Sequence, residues 1–302
     1  MNARTERPPR QRVDGVVLLD KPSGLSSNAA LQKVRRLYNA AKAGHTGTLD
    51  PMASGLLPLC LGEATKFSQT LLDADKAYVA RVRLGETTDT GDAEGEVQQR
   101  RPVSADLAQI EAVLPQFSGE ITQIPPMYSA LKRDGKPLYE YARAGVTLER
   151  MPRQVQIHEI SASDFDGRDF DLHVACSKGT YIRTLAEDIG EALGCGAHLV
   201  ALRRTRIGNF NIEDAVLLQA LEDAEVRADV LAPADLLVGN LPTIDLDESA
   251  AGAFNHGQCV HPPAGGEGLA RVFAAGAFLG LGRWEPDGRL APHRLVAFTS
   301  GA

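Results

Sequence analysis

The sequence predicts an α+β fold: a mixed, mainly antiparallel sheet with flanking helices, followed by a small C-terminal β-barrel. Three observations lead there. Period-two apolar alternation marks strands at 76–84, 155–160 and 170–174. Apolar residues at helical spacing mark helices near 30–37, 107–117 and 182–189. Beyond the Asn240-Leu241-Pro242 break, short apolar runs are separated by glycines, which suits a small β unit.

Composition bounds the function classes. The chain has 302 residues, 43% hydrophobic and 24% charged, enough for a sizeable core in one large domain or two. No apolar run reaches the eighteen residues a membrane helix needs. Residues 1–12 carry Arg4, Arg7, Arg10 and Arg12 without an apolar stretch, so they read as a flexible basic tail and not a secretory signal. Cys60, Cys176, Cys195 and Cys259 are widely spaced, which fits reduced thiols and a cytoplasmic protein. His256, Cys259 and His261 cluster but fall short of a four-ligand metal set, so no metal is expected. The net charge of −7 is uneven: residues 211–250 hold ten acids against Arg227, leaving +2 for the rest. Lys33, Arg35, Arg36 and Lys42 form a local basic cluster suited to phosphates.

Taken in order, residues 16–20 read as a strand broken by Lys21-Pro22-Ser23-Gly24, and Ser26 or Ser27 can cap the helix that follows. Lys21 and Pro22 read as a plain strand-turn-helix connection. Residues 56–61 suit a buried strand and 64–72 a helix. On the strand 76–84, Lys76, Tyr78, Ala80, Val82 and Leu84 share one face. Residues 85–97 read as a polar turn or hairpin with little chemistry in it. Pro125 and Pro126 force an extended path, with Lys132, Arg133 and Lys136 around a turn at Gly135. At 176–185 a strand ends and a helix begins, with Tyr181 and Arg183 two apart at the junction. Residues 213–238 read as acidic helices.

One stretch stands out: Gly44-His45-Thr46-Gly47-Thr48-Leu49-Asp50-Pro51-Met52-Ala53-Ser54-Gly55. Pro51 restricts Asp50 to extended geometry, and the glycines allow sharp turns beside a ligand. Asp before Pro is also a common helix start, so residue pattern alone leaves an N-cap open. By residue pattern alone Tyr78 and Leu202 read as core, and Arg183 reads equally as a solvent-facing residue.

The stretch closely resembles the signature of the bacterial tRNA pseudouridine-55 synthases, with Ala43 and Ser54 as mild departures. Lys21-Pro22-x-Gly24, Pro125-Pro126-x-Tyr128-Ser129-Ala130-Leu131-Lys132 and Lys178-Gly179-Thr180-Tyr181-Ile182-Arg183 match further segments of that family between about 15 and 210. The resemblance implies a pseudouridine synthase catalytic domain over 13–240 with a central cleft, and a PUA-like RNA-binding domain over 241–302. It implies Asp50 as the catalytic residue, and Tyr78, Tyr181 and Leu202 around a flipped uracil. His45 would fill the gap the base leaves, and Arg183 would pair with Asp50, holding it ionised and oriented. The implied partner is the T-arm of tRNA, handled by a monomer without cofactor or obligate protein partner. Two other classes fit parts of the pattern. A non-catalytic RNA-binding protein would need no acid at 50, and a glycoside or nucleoside hydrolase normally carries a second carboxylate.

Overall fold

Alternation across 76–84 produces a central strand because both of its edges are paired and one face is buried. The computed structural model describes residues 9–262 and 264–297. Its strands are β1 (Gly15–Lys21), β2 (Ala43–His45), β3 (Ser54–Leu61), β4 (Lys76–Leu84), β5 (Glu86–Thr88), β6 (Val97–Arg100), β7 (Gly119–Gln123), β8 (Lys132–Arg133) and β9 (Lys136–Pro137). They continue with β10 (Arg153–Ser163), β11 (Asp169–Cys176), β12 (Ala197–Ile207), β13 (Phe210–Asn211), β14 (Val216–Leu217), β15 (Thr243–Asp245), β16 (Leu269–Ala274), β17 (Ala277–Trp284) and β18 (Leu290–Leu295). The α-helices are α1 (Ser27–Leu37), α2 (Gln69–Leu72), α3 (Leu107–Val113), α4 (Leu138–Arg143), α5 (Ile182–Ala192), α6 (Ala224–Asp229) and α7 (Glu248–Asn255).

The large sheet has the order β14-β1-β3-β12-β4-β11-β10-β7, with β2 paired to β3 and β13 to β12. Its ladders are antiparallel except β1 with β14 and β12 with β3. The β12–β3 ladder has only two residue pairs, Arg203 with Ser54 and Arg204 with Gly55. The two halves of the sheet therefore meet at the start of β3, directly after the glycine-rich stretch.

Helices α1 and α5 cover one face. Ala30, Leu31, Val34, Ile182, Leu185 and Ile189 bury against Leu19, Leu59, Ala80, Val82 and Leu172. Their apolar rows recur every three or four residues, the spacing that turns one helix stripe towards a sheet. Ser26 caps α1 by accepting the Ala29 N–H at 3.1 Å. The other face carries Val16, Leu56, Cys60 and Ile207 under Phe67, Leu71, Leu237 and Val238. Leu281 of β17 joins this second cluster, and the Phe67 and Phe278 rings lie 5.3 Å apart, so the C-terminal unit packs on that face.

Two expectations change here. The small C-terminal β-barrel is an open four-stranded sheet, β15-β16-β17-β18, with α7 in its separate core. Residues 261–268 contain Pro262, Gly265, Gly266 and Gly268 and form no strand among those described, so nothing there joins the sheet's two edges. The basic tail is also not loose throughout. Residues 1–8 lie outside the described residues, but Gln11 donates to Asn39 O at 3.0 Å and accepts from Ala41 N at 2.9 Å.

Candidate active site

No helix follows Pro51, so Asp50 is not an N-cap. Its carbonyl accepts the Ala53 N–H at 3.1 Å, and the chain then enters β3. The loop is fixed from several sides. Ser27 Oγ accepts the Leu49 N–H at 2.7 Å and donates to Leu49 O at 2.9 Å. Gly24 N–H donates to Pro51 O at 2.8 Å, and Thr46 N–H to Pro58 O at 3.2 Å. These bonds leave the Asp50 side chain 38% exposed.

Arg183, in the first turn of α5, lies against it: Nη2 is 3.1 Å from Asp50 Oδ2, and its own side chain is 6% exposed. The guanidinium also stands 3.4 Å from Asp92 Oδ2 and donates to Thr90 O at 3.0 Å and Tyr128 O at 2.6 Å. One buried fork thus joins the glycine-rich loop, the 88–92 turn and the segment after Pro126. Pairing does not win outright at Asp50. Burial pushes its pKa above the ordinary carboxylate range, Arg183 opposes this, and Asp92 adds to the rise. Arg183 pairs with Asp50 and lowers its pKa, as the resemblance implies, but desolvation outweighs that pull and the net shift is upward.

The remaining predicted residues line the same region. Tyr78 on β4 faces Arg204 on β12, and Leu202, 8% exposed, faces Ala80. Tyr181 is pinned by the Gln123 side chain, which accepts its N–H at 3.0 Å and donates to its carbonyl at 3.2 Å. Burial raises the pKa of both phenols, and the Asp50 charge adds to the rise in each. His45 ends β2 opposite Leu59; burial and then the Arg204 charge lower its pKa, which favours the neutral ring near pH 7.

Comparison with known proteins sharpens this geometry. Residues 35–182 match the profile of the TruB family pseudouridylate synthase N-terminal domain. Residues 183–238 match the tRNA pseudouridylate synthase B C-terminal domain, and 242–296 the C-terminal domain of pseudouridine synthase II TruB. A tRNA pseudouridine synthase B from Azoarcus sp. (strain BH72) is 60% identical over 97% of this chain and 98% of its own. One from Cupriavidus metallidurans is 57% identical over 97% of each. The chain belongs to the TruB family of pseudouridylate synthases. Its fold is shared with a chain of a Cbf5-Nop10-Gar1 complex (31% identity, TM-score 0.67, 94% of this chain and 84% of that one). A chain of an H/ACA RNP bound to a substrate RNA containing 2′-deoxyuridine gives 29% identity and TM-score 0.66, covering 94% of this chain and 84% of that one.

Several residues of this TruB-family site escaped the sequence reading. Asp92 is 3% exposed and shares Arg183 with Asp50, although the turn around it reads as chemically quiet. Lys21 is fully buried, donating from Nζ to Leu25 O at 2.6 Å and Pro22 O at 3.1 Å. Burial lowers its pKa to about 8, with Asp50 opposing. It is therefore more than a strand-turn connection. Arg204, 1% exposed, could have been found from β-strand parity, which sets it on the same face as Leu202. Among the described residues no group of three or more His, Cys, Asp or Glu gathers as a metal site. None of their helices is long and apolar enough to cross a membrane.

Proposed function

We propose that this chain isomerises uridine 55 in the T-loop of tRNA to pseudouridine. The observation that carries the reading is the half-exposed Asp50 carboxylate, fixed in its loop and held by the buried Arg183 fork. The relatives named tRNA pseudouridine synthase B support tRNA as the substrate. The reaction breaks the bond from N1 to C1′ and forms one from C5 to C1′; a proton leaves C5 and one is gained at N1. It therefore needs neither oxidant nor reductant.

The target uridine is stacked within folded RNA and must be flipped out, at a cost of a few kcal/mol. Tyr78, Tyr181 and Leu202 receive the flipped base, stacking being worth roughly 1–3 kcal/mol per base. His45 occupies the gap left behind, and its neutral ring suits stacking. Asp50 acts on the reacting nucleoside by attack at C1′, attack at C6 or removal of the 2′ proton. Arg183 orients the carboxylate oxygen that does so. Residues 13–240 serve as the catalytic unit and 241–302 as an RNA-binding unit, acting as a monomer in the cytoplasm. Incubation with unmodified tRNA, followed by position-specific chemical mapping of pseudouridine, tests the reading. Product at position 55, and none in a tRNA carrying cytidine there, is the expected outcome. Modification elsewhere would refute the site assignment.

A further inference from the structure

Arg204 is the largest fully buried side chain of the described residues. A guanidinium at that depth is costly unless a carboxylate answers it. The carboxylates that form ion pairs nearby belong to its neighbours: Asp50 and Asp92 to Arg183, and Asp20 to Arg203. Arg204 has none within 4.0 Å among the described residues. Its Nε donates to Leu56 O at 2.8 Å, and its Nη2 is buried without any hydrogen-bond partner.

That unanswered charge sits where three parts of the site converge. Arg204 is paired with Tyr78 across the β12–β4 ladder, which puts both side chains on one face with Cβ atoms about 5 Å apart. It is paired with Gly55 across the β12–β3 ladder. Gly55 has φ +103°, and a Cβ there would stand 2.3 Å from Arg204 O, so only glycine lets the two strands meet. A Cβ on Gly47 would lie 3.8 Å from Arg204 Nη1, which places the guanidinium beneath the Asp50 loop.

We propose that Arg204 is a positioning residue that acts through Tyr78, stabilising the phenolate that takes the proton from C5 of the rejoined uracil. The inference rests on the pseudouridine reading above. The Tyr78 phenol first gives its proton to solvent. Then the C5–H bond breaks, the proton passes to the phenolate oxygen, and the freed pair becomes the C5–C6 double bond. The pair of the C6–N1 double bond moves to N1, which takes a proton from solvent, so nothing is oxidised or reduced. Arg204, Cys176 on β11 and Asp50 are the charged and titratable groups that act on this phenol, and Lys76 lies two residues away on the same strand. Lys76 Nζ is committed to the carbonyls of Leu72 and Ala74. Burial raises the phenol pKa and Arg204 opposes it, while Cys176 and Asp50 raise it further.

The test uses the full chain and unmodified tRNA transcript in single-turnover reactions across pH. Arg204→Met should move the rising limb of the rate profile up by about one pH unit, a tenfold loss on that limb. It should also expose a deuterium isotope effect with 5-deuterated uridine and leave tRNA affinity unchanged. Arg204→Lys should recover most of the rate, and Arg204→Met should cost nothing more in a Tyr78→Phe background. A loss equal at every pH, or one that persists in that Tyr78→Phe background, overturns the proposal. Should Arg204→Met not fold, Arg204→Gln and Arg204→Lys carry the same test. The limb must move to higher pH in the first and stay near its wild-type position in the second, and an unmoved limb in Arg204→Gln overturns the role. Wild-type enzyme that forms no pseudouridine would instead sink the functional reading.

Discussion

The region through Arg204 and the C-terminal sheet bury their side chains by opposite rules. Every buried polar or charged side chain of the described residues lies at or before Arg204, including Lys21, Lys76, Asp92 and Arg183. The core around α7 holds Leu246, Phe254, Val272, Leu279, Trp284 and Leu290, and no charge. Buried charge lowers stability unless it is paired and hydrogen-bonded. The region through Arg204 thus gives up folding free energy for fixed electrostatics around Asp50, a cost that the apolar core around α7 does not carry. Substitutions among the paired charges around Asp50 should act on rate, and those in the C-terminal core on stability. Removal of an unpaired buried charge in the first region should raise stability.

The largest expected effect is at the centre of the charged region. Asp50→Asn should lower kcat by at least about 10⁴-fold, ~5.4 kcal/mol of barrier. Its tRNA affinity should stay within about tenfold, ~1.4 kcal/mol. Titration of tRNA binding beside single-turnover assays separates the two, and retained turnover would remove Asp50 from the chemistry. Next comes Phe254→Ala, which empties a fully buried site and should cost about 3–5 kcal/mol in denaturant unfolding. At saturating tRNA its kcat should be preserved; a matching fall in kcat would break the division between regions.

Arg183→Lys keeps a charge but loses the planar fork that reaches both Asp50 and Asp92. A kcat lower by about 10²-fold, ~2.7 kcal/mol, is expected, with a smaller change in affinity. Normal kcat with weaker, less salt-dependent binding would make Arg183 a phosphate contact instead. The smallest effect concerns Glu187, one turn along α5. Burial raises its pKa from 4.5 to about 7, and Asp188 adds to the rise. A raised carboxyl contributes stability below pH 4.5 that is lost as pH rises through 7. Glu187→Gln should therefore raise Tm by about 2–4 °C at pH 8 and hardly at all at about pH 4.5. Equal gains at both pH values would show that its charge is not the cause.

Much of this architecture was legible because burial imposes a period. The alternation of β4 and the apolar stripes of α1 and α5 follow from facing one core, so the α+β class could be read directly. The Asp50 loop was legible through its glycines and Pro51. Asp92 was not: Asp89, Asp92 and Glu94 look alike in sequence, and only the folding of that turn against α5 selects one. Lys21 and Arg204 were missed because charged residues are almost never fully buried. The open C-terminal sheet differs from a barrel through residues 261–268, whose turn chemistry suits a hairpin as well as a loop.

The most direct test is release of tritium from [5-³H]uridine in unmodified tRNA, with free uracil measured in the same samples. Loss of the C5 hydrogen accompanies C5–C1′ bond formation, so wild-type protein should release one equivalent of tritium per tRNA and no free uracil. Asp50→Asn should release none while still binding the tRNA. Free uracil without tritium release would indicate a hydrolase, and binding with neither product would indicate an RNA-binding protein; either result would contradict the account.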